Sequence, residues 1–218
     1  MMKHHCSATQ VPFLFGFARA PMTFRKVSGF SLVEVLVSIV VLTFGLLGMV
    51  GMQAATLKSN REARSQSSAI FLARELAEMI RGNKSEAIKA SPNNPYLGSF
   101  SSSPLTATTT SYCLSVATST TACTDAADIA NAQLTEWLTR VDAELPGARV
   151  AICFDASPFD ANGLPRWACD NTGNILAIKI GWTRGSTDKT KVGNAALERT
   201  SDSTSKPSVI VPVTPGNL

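Results

Sequence analysis

Glu34 is the residue whose surroundings most constrain its chemistry. It is the single charge in GFSLVEVLVSIVVLTFGLLGMVGM, Gly29 to Met52, and the nearest basic residues are Arg25 and Lys26 upstream. A carboxylate inside a stretch that would otherwise dissolve in hydrocarbon needs an ionic partner, and its chemistry there is electrostatic pairing. The chain's other reactive side chains are five cysteines and two histidines. Cys6, His4 and His5 lie before Gly29, and Cys113, Cys123, Cys153 and Cys169 lie far beyond it.

The element that must position Glu34 is a helix. Phe30 to Met52 is 23 residues, or roughly 35 Å at ~1.5 Å per residue, enough to cross a bilayer. Its 14 Leu, Ile, Val and Phe residues between Phe30 and Val50 contribute about −4 to −8 kcal/mol to insertion. One acid at the centre costs about 2.5–3.5 kcal/mol, and less near an end. The segment therefore inserts despite Glu34. A secretory signal fits less well: the apolar run is too long, it holds an acid, and Gln53-Ala54-Ala55 is a weak cleavage site. A plain single-span anchor is the other reading of the same residues.

Lys26-Val27-Ser28-Gly29 followed by Phe30-Ser31-Leu32-Val33-Glu34 resembles the class III signal of type IV pilins and pseudopilins. The resemblance implies that prepilin peptidase cuts between Gly29 and Phe30 and methylates the new N-terminal Phe30. It also implies that Glu34 receives the N-terminal amine of a neighbouring subunit. Such a pair suits the physics, because two poorly solvated opposite charges gain most from meeting each other. Residues 1–29 would be a leader. Met22 opens MTFRKVSG, a short leader of the family's kind, and is the expected true start. Arg25 and Lys26 hold this end in the cytoplasm by the positive-inside rule, which puts the C-terminal part in the periplasm.

Loss of the leader changes the composition. Four of the 20 basic residues, Lys3, Arg19, Arg25 and Lys26, lie before Phe30, which leaves 16 basic against 16 acidic. Net charge then gives no case for nucleic-acid binding. Both histidines are lost as well, so neither a Ser-His-Asp site nor a His-ligated metal site can be built. No cofactor, metal or catalytic residue is expected, and the chain reads as a non-enzyme. Four cysteines in an exported domain suggest two disulfides out of three possible pairings. Cys113–Cys123 and Cys153–Cys169 are favoured because each closes a short local loop. A bridge over ~15 residues is worth about 3 kcal/mol in the chain-entropy model.

Beyond the span the helix should continue. Residues 53–84 contain no proline and are rich in Ala, Arg, Glu, Gln and Leu. Apolar positions recur at Leu57, Ala69, Phe71 to Ala73, Leu76, Ala77, Met79 and Ile80, with Glu75, Glu78, Arg74 and Arg81 on the exposed side and Gly82 as the stop. A helix from Phe30 to Arg81 would be about 78 Å long, too long for a small globule to bury. Its first half must enter a membrane or other subunits. Gly45, Gly48 and Gly51 in that half read equally as a place to bend or as a close-packing surface. Many major pilins carry a proline in this region, and this chain does not.

Residues 85–218 read as one α+β head domain. Asn83 to Thr124 is a loop-rich connection, and Asp125 caps a helix to about Leu145, with Ile129, Gln133 or Leu134, Trp137, Val141 and Leu145 along one face. Pro146-Gly147 ends it. Arg149 to Phe154, Ile175 to Trp182 and Ser208 to Val213 are strands, the last an edge because of Pro212. The predicted fold class is α+β: a long N-terminal helix, membrane-spanning in its first half, packed by its second half on an antiparallel sheet. That is the architecture the pilin resemblance implies.

Ala122-Cys123-Thr124-Asp125, Glu136-Trp137, Leu145-Pro146-Gly147-Ala148, Cys153 and Gly181-Trp182 further resemble the minor pilins. The resemblance implies a structural and priming subunit of a type IV pilus that supports adhesion and twitching motility. Its partners would be major and minor pilins, prepilin peptidase and, before assembly, the inner membrane; its final place would be the pilus at the cell surface. The alternatives are a type II secretion pseudopilin and a membrane-anchored periplasmic enzyme. Trp137, Trp167 and Trp182 are assigned to core packing ahead of a contact surface.

Overall fold

A computed structural model describes residues 29–115, 121–184, 190, 197 and 205–216. The chain divides between Met49 and Val50 into two units. One helix, α1, runs Leu32–Gly82. A single turn, α2, follows at Lys84–Ala87. Then come β1 (Gly98–Phe100), α3 (Ala126–Glu144), β2 (Arg149–Phe154), β3 (Leu176–Gly181) and β4 (Val209–Val213).

The second unit is built by burying one stripe of α1. Ala69, Leu72, Ala73, Leu76, Ala77 and Ile80 are its buried residues, and their alternating spacing of three and one keeps them on one face of a 3.6-residue helix. Helix α3 presents Ala130, Leu134, Trp137, Leu138 and Val141 to the same core. Asp125 caps α3 by accepting the Asp128 backbone N–H at 2.8 Å. The Trp137 indole N–H donates to the Leu72 carbonyl of α1 at 2.8 Å, which satisfies the one polar group of a fully buried ring. After Pro146, Gly147 sits at φ +57°, where a Cβ would meet the Thr183 methyl at 2.8 Å. Glycine alone makes that turn without strain.

The sheet is antiparallel throughout, in the order β1-β2-β3-β4. Register places Val150 opposite Ile180 and Ile152 opposite Ile178, and Ile178 opposite Val211 on the far side. These residues belong to the face packed into the common core. Pro212 lies in β4, at the sheet edge, where its missing N–H costs no ladder bond on the free side.

Three sequence expectations need correction. The connection from Asn83 to Thr124 is not merely loop: it holds α2 and β1, and it sends Tyr96, Phe100 and Leu105 into the core. Asn94, almost fully buried, organises it by donating to the Ala87 and Lys89 carbonyls at 2.9 and 3.0 Å and accepting the Tyr96 N–H at 3.0 Å. Phe71 does not join the apolar face; it is 68% exposed, because at ~100° per residue it falls on the opposite side of the helix from the Ala69–Leu72–Ala73 stripe. Glu75 is not on the fully exposed side, and its carboxylate meets Arg140 of α3 at 2.8 Å. Trp137 and Trp182 are buried in the core, as packing required.

Candidate assembly site

The N-terminal unit is built from side chains that meet no core of their own. Helix α1 opens with the Ser31 carbonyl accepting the Glu34 and Val35 N–H groups at 3.0 and 3.2 Å. Glu34 thus stands in the first turn, where the helix dipole favours a negative charge. The hydroxyls of the apolar stretch are satisfied locally: Ser38 donates to the Glu34 carbonyl at 2.7 Å and Thr43 to the Val40 carbonyl at 2.8 Å. Phe30, Glu34, Val35, Ser38, Ile39 and Leu42 line a shallow groove of about 440 Å³ with Glu34 as its only charge.

Among the described residues Glu34 has no ion pair. Every residue from 29 to 61 is exposed, and a Cβ placed on Gly45, Gly48 or Gly51 would meet nothing within 4 Å. The first part of α1 is long and apolar enough to cross a membrane, and none of that window is buried within the chain. Chemically, an apolar rod with one carboxylate near its start is suited to pair with a cation in an apolar setting.

In the head, sulfur and charge fix the segment that joins β2 to β3. The structure joins Cys113 to Cys123 and Cys153 to Cys169. The cysteines near Asp128 and Asp155 are thereby spent as disulfide sulfur and offer no thiolate to a metal. The Cys153–Cys169 bridge folds the 155–175 segment back over the outer face of β2 and β3, and Trp167 lies against Gly181, where a Cβ would come within 2.8 Å of the indole ring. Every residue of β3 is consequently buried, Lys179 included. The Lys179 ammonium donates to Asp155 at 2.5 Å and to the Ala168 carbonyl at 2.7 Å. The other Asp155 oxygen accepts the Ser157 N–H at 3.0 Å. Arg149 stacks on the Trp167 ring at 4.3 Å, and burial lowers its pKa from the ordinary value.

Asp155, Lys179, Arg149 and Tyr96 were not singled out from sequence. The available signal was a lysine on an otherwise apolar strand, with an aspartate just after the preceding strand and a cysteine beside it. Tyr96 donates to Gln133 of α3 at 2.6 Å, and burial pushes its phenol up to about 12. Asp128 is held below the usual carboxylate range, first by a side-chain hydrogen bond with Ser111 and next by the Thr124 N–H. Asp170 is lowered in the same way, chiefly by the Thr172 N–H.

Two contiguous matches to known families cover residues 24–135. Residues 24–50, which contain Gly29, Phe30 and Glu34, match the prokaryotic N-terminal methylation motif. Residues 51–135, from the apolar rod into α3, match the family described as type IV pilin Tt1218. A methylation motif leading directly into a type IV pilin match supports the type IV pilin family for this chain. No curated protein and no solved structure matched it. The family is structural in role, its methylation motif implies processing by prepilin peptidase and assembly with other pilins, and the apolar helix fits a membrane-anchored subunit that is assembled into a pilus.

Proposed function

We propose that this chain is a minor pilin of a type IV pilus, a structural and priming subunit that helps to start the filament and so supports adhesion and twitching motility. The observation that carries the reading is Glu34, a lone carboxylate on an exposed apolar helix inside the methylation-motif match. Cleavage after Gly29 creates an ammonium at Phe30, four residues before that carboxylate. In a low-dielectric bundle of such helices, the ammonium of one subunit and Glu34 of the next attract strongly, and only one axial stagger lets them meet. The pair therefore sets register as well as adding attraction. Before assembly the helix waits in the inner membrane with the head in the periplasm.

The minor assignment, with a likeness to the pilus modification pilin PilV, rests on the sequence from Cys113 to Trp182 and on the two disulfides. Mass spectrometry of sheared pili tests it. The expected result is this chain at low abundance beside a major subunit, beginning with N-methylated Phe30. Recovery with a type II secretion apparatus and absence from pili would replace the reading with pseudopilin. An N-terminus at Ala54 or Ala55 would overturn the pilin processing itself.

A further inference from the structure

Lys58, Arg61 and Arg64 occupy three successive turns of α1, all exposed, and none has a carboxylate partner among the described residues. With Ala54, Leu57, Ser65, Pro146 and Thr183 they line a crevice of about 700 Å³ that contains no acidic residue. Ala54, Leu57 and Pro146 give it an apolar lining, and the three cations give it its charge. We infer that this crevice binds anionic phospholipid headgroups of the leaflet from which α1 emerges, a role that rests on the reading of Phe30 to Met52 as a membrane span.

Spacing along the chain favours lipid over other anions. Lys58 follows Met52 by six residues, roughly 9 Å of helix rise, and the headgroup layer on each side of the hydrocarbon is about 5–7 Å deep. Helical side chains tilt toward the N-terminus, so Lys58 and Arg61 lean back toward the bilayer and can set their charges at the phosphates, while Arg64, roughly 18 Å beyond Met52, acts only through its field at the outer edge. Lys58 is the nearest, Arg61 next and Arg64 the farthest. The apolar lining suits the glycerol and upper acyl region, a surface that a free phosphate would leave uncovered. Such a site would hold the subunit at the bilayer surface before it enters a filament.

The test uses the full processed chain in nanodiscs of phosphatidylcholine with a minor fraction of phosphatidylglycerol. A photo-crosslinking amino acid replaces Leu57, the crevice residue beside Lys58, and adducts are identified by mass spectrometry. The expected result is enrichment of phosphatidylglycerol by about fivefold or more over its mole fraction, the size one well-placed cation gives at an anionic surface. The triple variant Lys58→Gln, Arg61→Gln, Arg64→Gln should fall to the mole fraction, and the single variants should lose enrichment in the order Lys58, Arg61, Arg64. Adducts at bulk composition, enrichment unchanged in the triple variant, or adducts chiefly to a second copy of the chain would each overturn the lipid site while leaving the span intact. A wild-type chain that does not enter nanodiscs at all would overturn the span and the site together.

Discussion

The two ends of α1 obey the same sequence rules and meet opposite fates. From Phe30 to Met52 almost every side chain is apolar, and all are exposed within the chain. From Ala69 to Ile80 one face of the helix, Ala69, Leu72, Ala73, Leu76, Ala77 and Ile80, is apolar and buried, with Phe71 the exposed exception. A helix that is apolar all round requires an apolar solvent, whereas a helix apolar on one stripe requires a core. The first stretch is therefore written for partners outside the chain, and the second for the head domain.

Glu34→Gln should break that contrast most severely. It removes the one charge of the outward-directed stretch and keeps its shape. The variant should insert, be cut after Gly29 and keep a normal head, yet fall at least tenfold in sheared pili. Immunoblots of the membrane and pilus fractions check this, and normal incorporation would deny Glu34 its assembly role. Substitutions in the packed region should act oppositely, on stability and only through it on assembly. Asp155→Leu alone strands the buried Lys179 ammonium and should cost about 3–5 kcal/mol in denaturant unfolding of the head, while Lys179→Met leaves Asp155 with Arg166 at 3.9 Å and should cost less. The double variant should recover most of that, because a buried ion pair is often matched by a well-packed apolar pair.

Tyr96 sharpens the packed side through pH. Its folded pKa is raised from 10.0 to about 12 by burial, so the unfolded state loses the phenolic proton first. Its contribution is fully present below pH 10 and fades as pH rises toward 12, by about 2–3 kcal/mol if the whole shift is expressed. Tyr96→Phe should flatten that part of the stability–pH curve. The smallest effect belongs to Phe71, on the packed half of α1 but facing away from the core. Phe71→Ser should change head stability by no more than about 0.5 kcal/mol. A larger loss in thermal unfolding would place Phe71 in the core after all.

How much of this was legible in the sequence follows the range of the forces. The span, the Asp125 cap and the strands ending at Phe154 and Gly181 rest on local periodicity and turn chemistry, and could be read directly. The three residues of β1 carry too little alternation to be seen alone; pairing with β2 makes them a strand. The Asp155–Lys179 pair links residues 24 apart in sequence and exists because the disulfide-closed segment covers the outer sheet face. No local pattern announces such a cover. Phe71 misled because an aromatic residue beside a helical stripe looks like part of it until the face is counted. Glu34 was conspicuous by its surroundings, one carboxylate in an apolar run.

The disulfides also say how the subunit would carry a mechanical load. Both lie beyond Gly82 and close loops within the head, so neither ties α1 to it. The described ties between α1 and the rest of the head include the buried stripe, the indole bond from Trp137 to Leu72, the Tyr96 hydroxyl bond to the Met79 carbonyl, and the pairs Glu75–Arg140 and Glu62–Arg184. In a filament pulled lengthwise through its helices, tension would reach the head as shear along this seam. The seam is then a slip plane: it would yield before any covalent bond, reduction of the disulfides would leave it unaltered, and its shallow ratchet of Ala, Leu and Ile side chains would let a displaced head re-seat when the load is released.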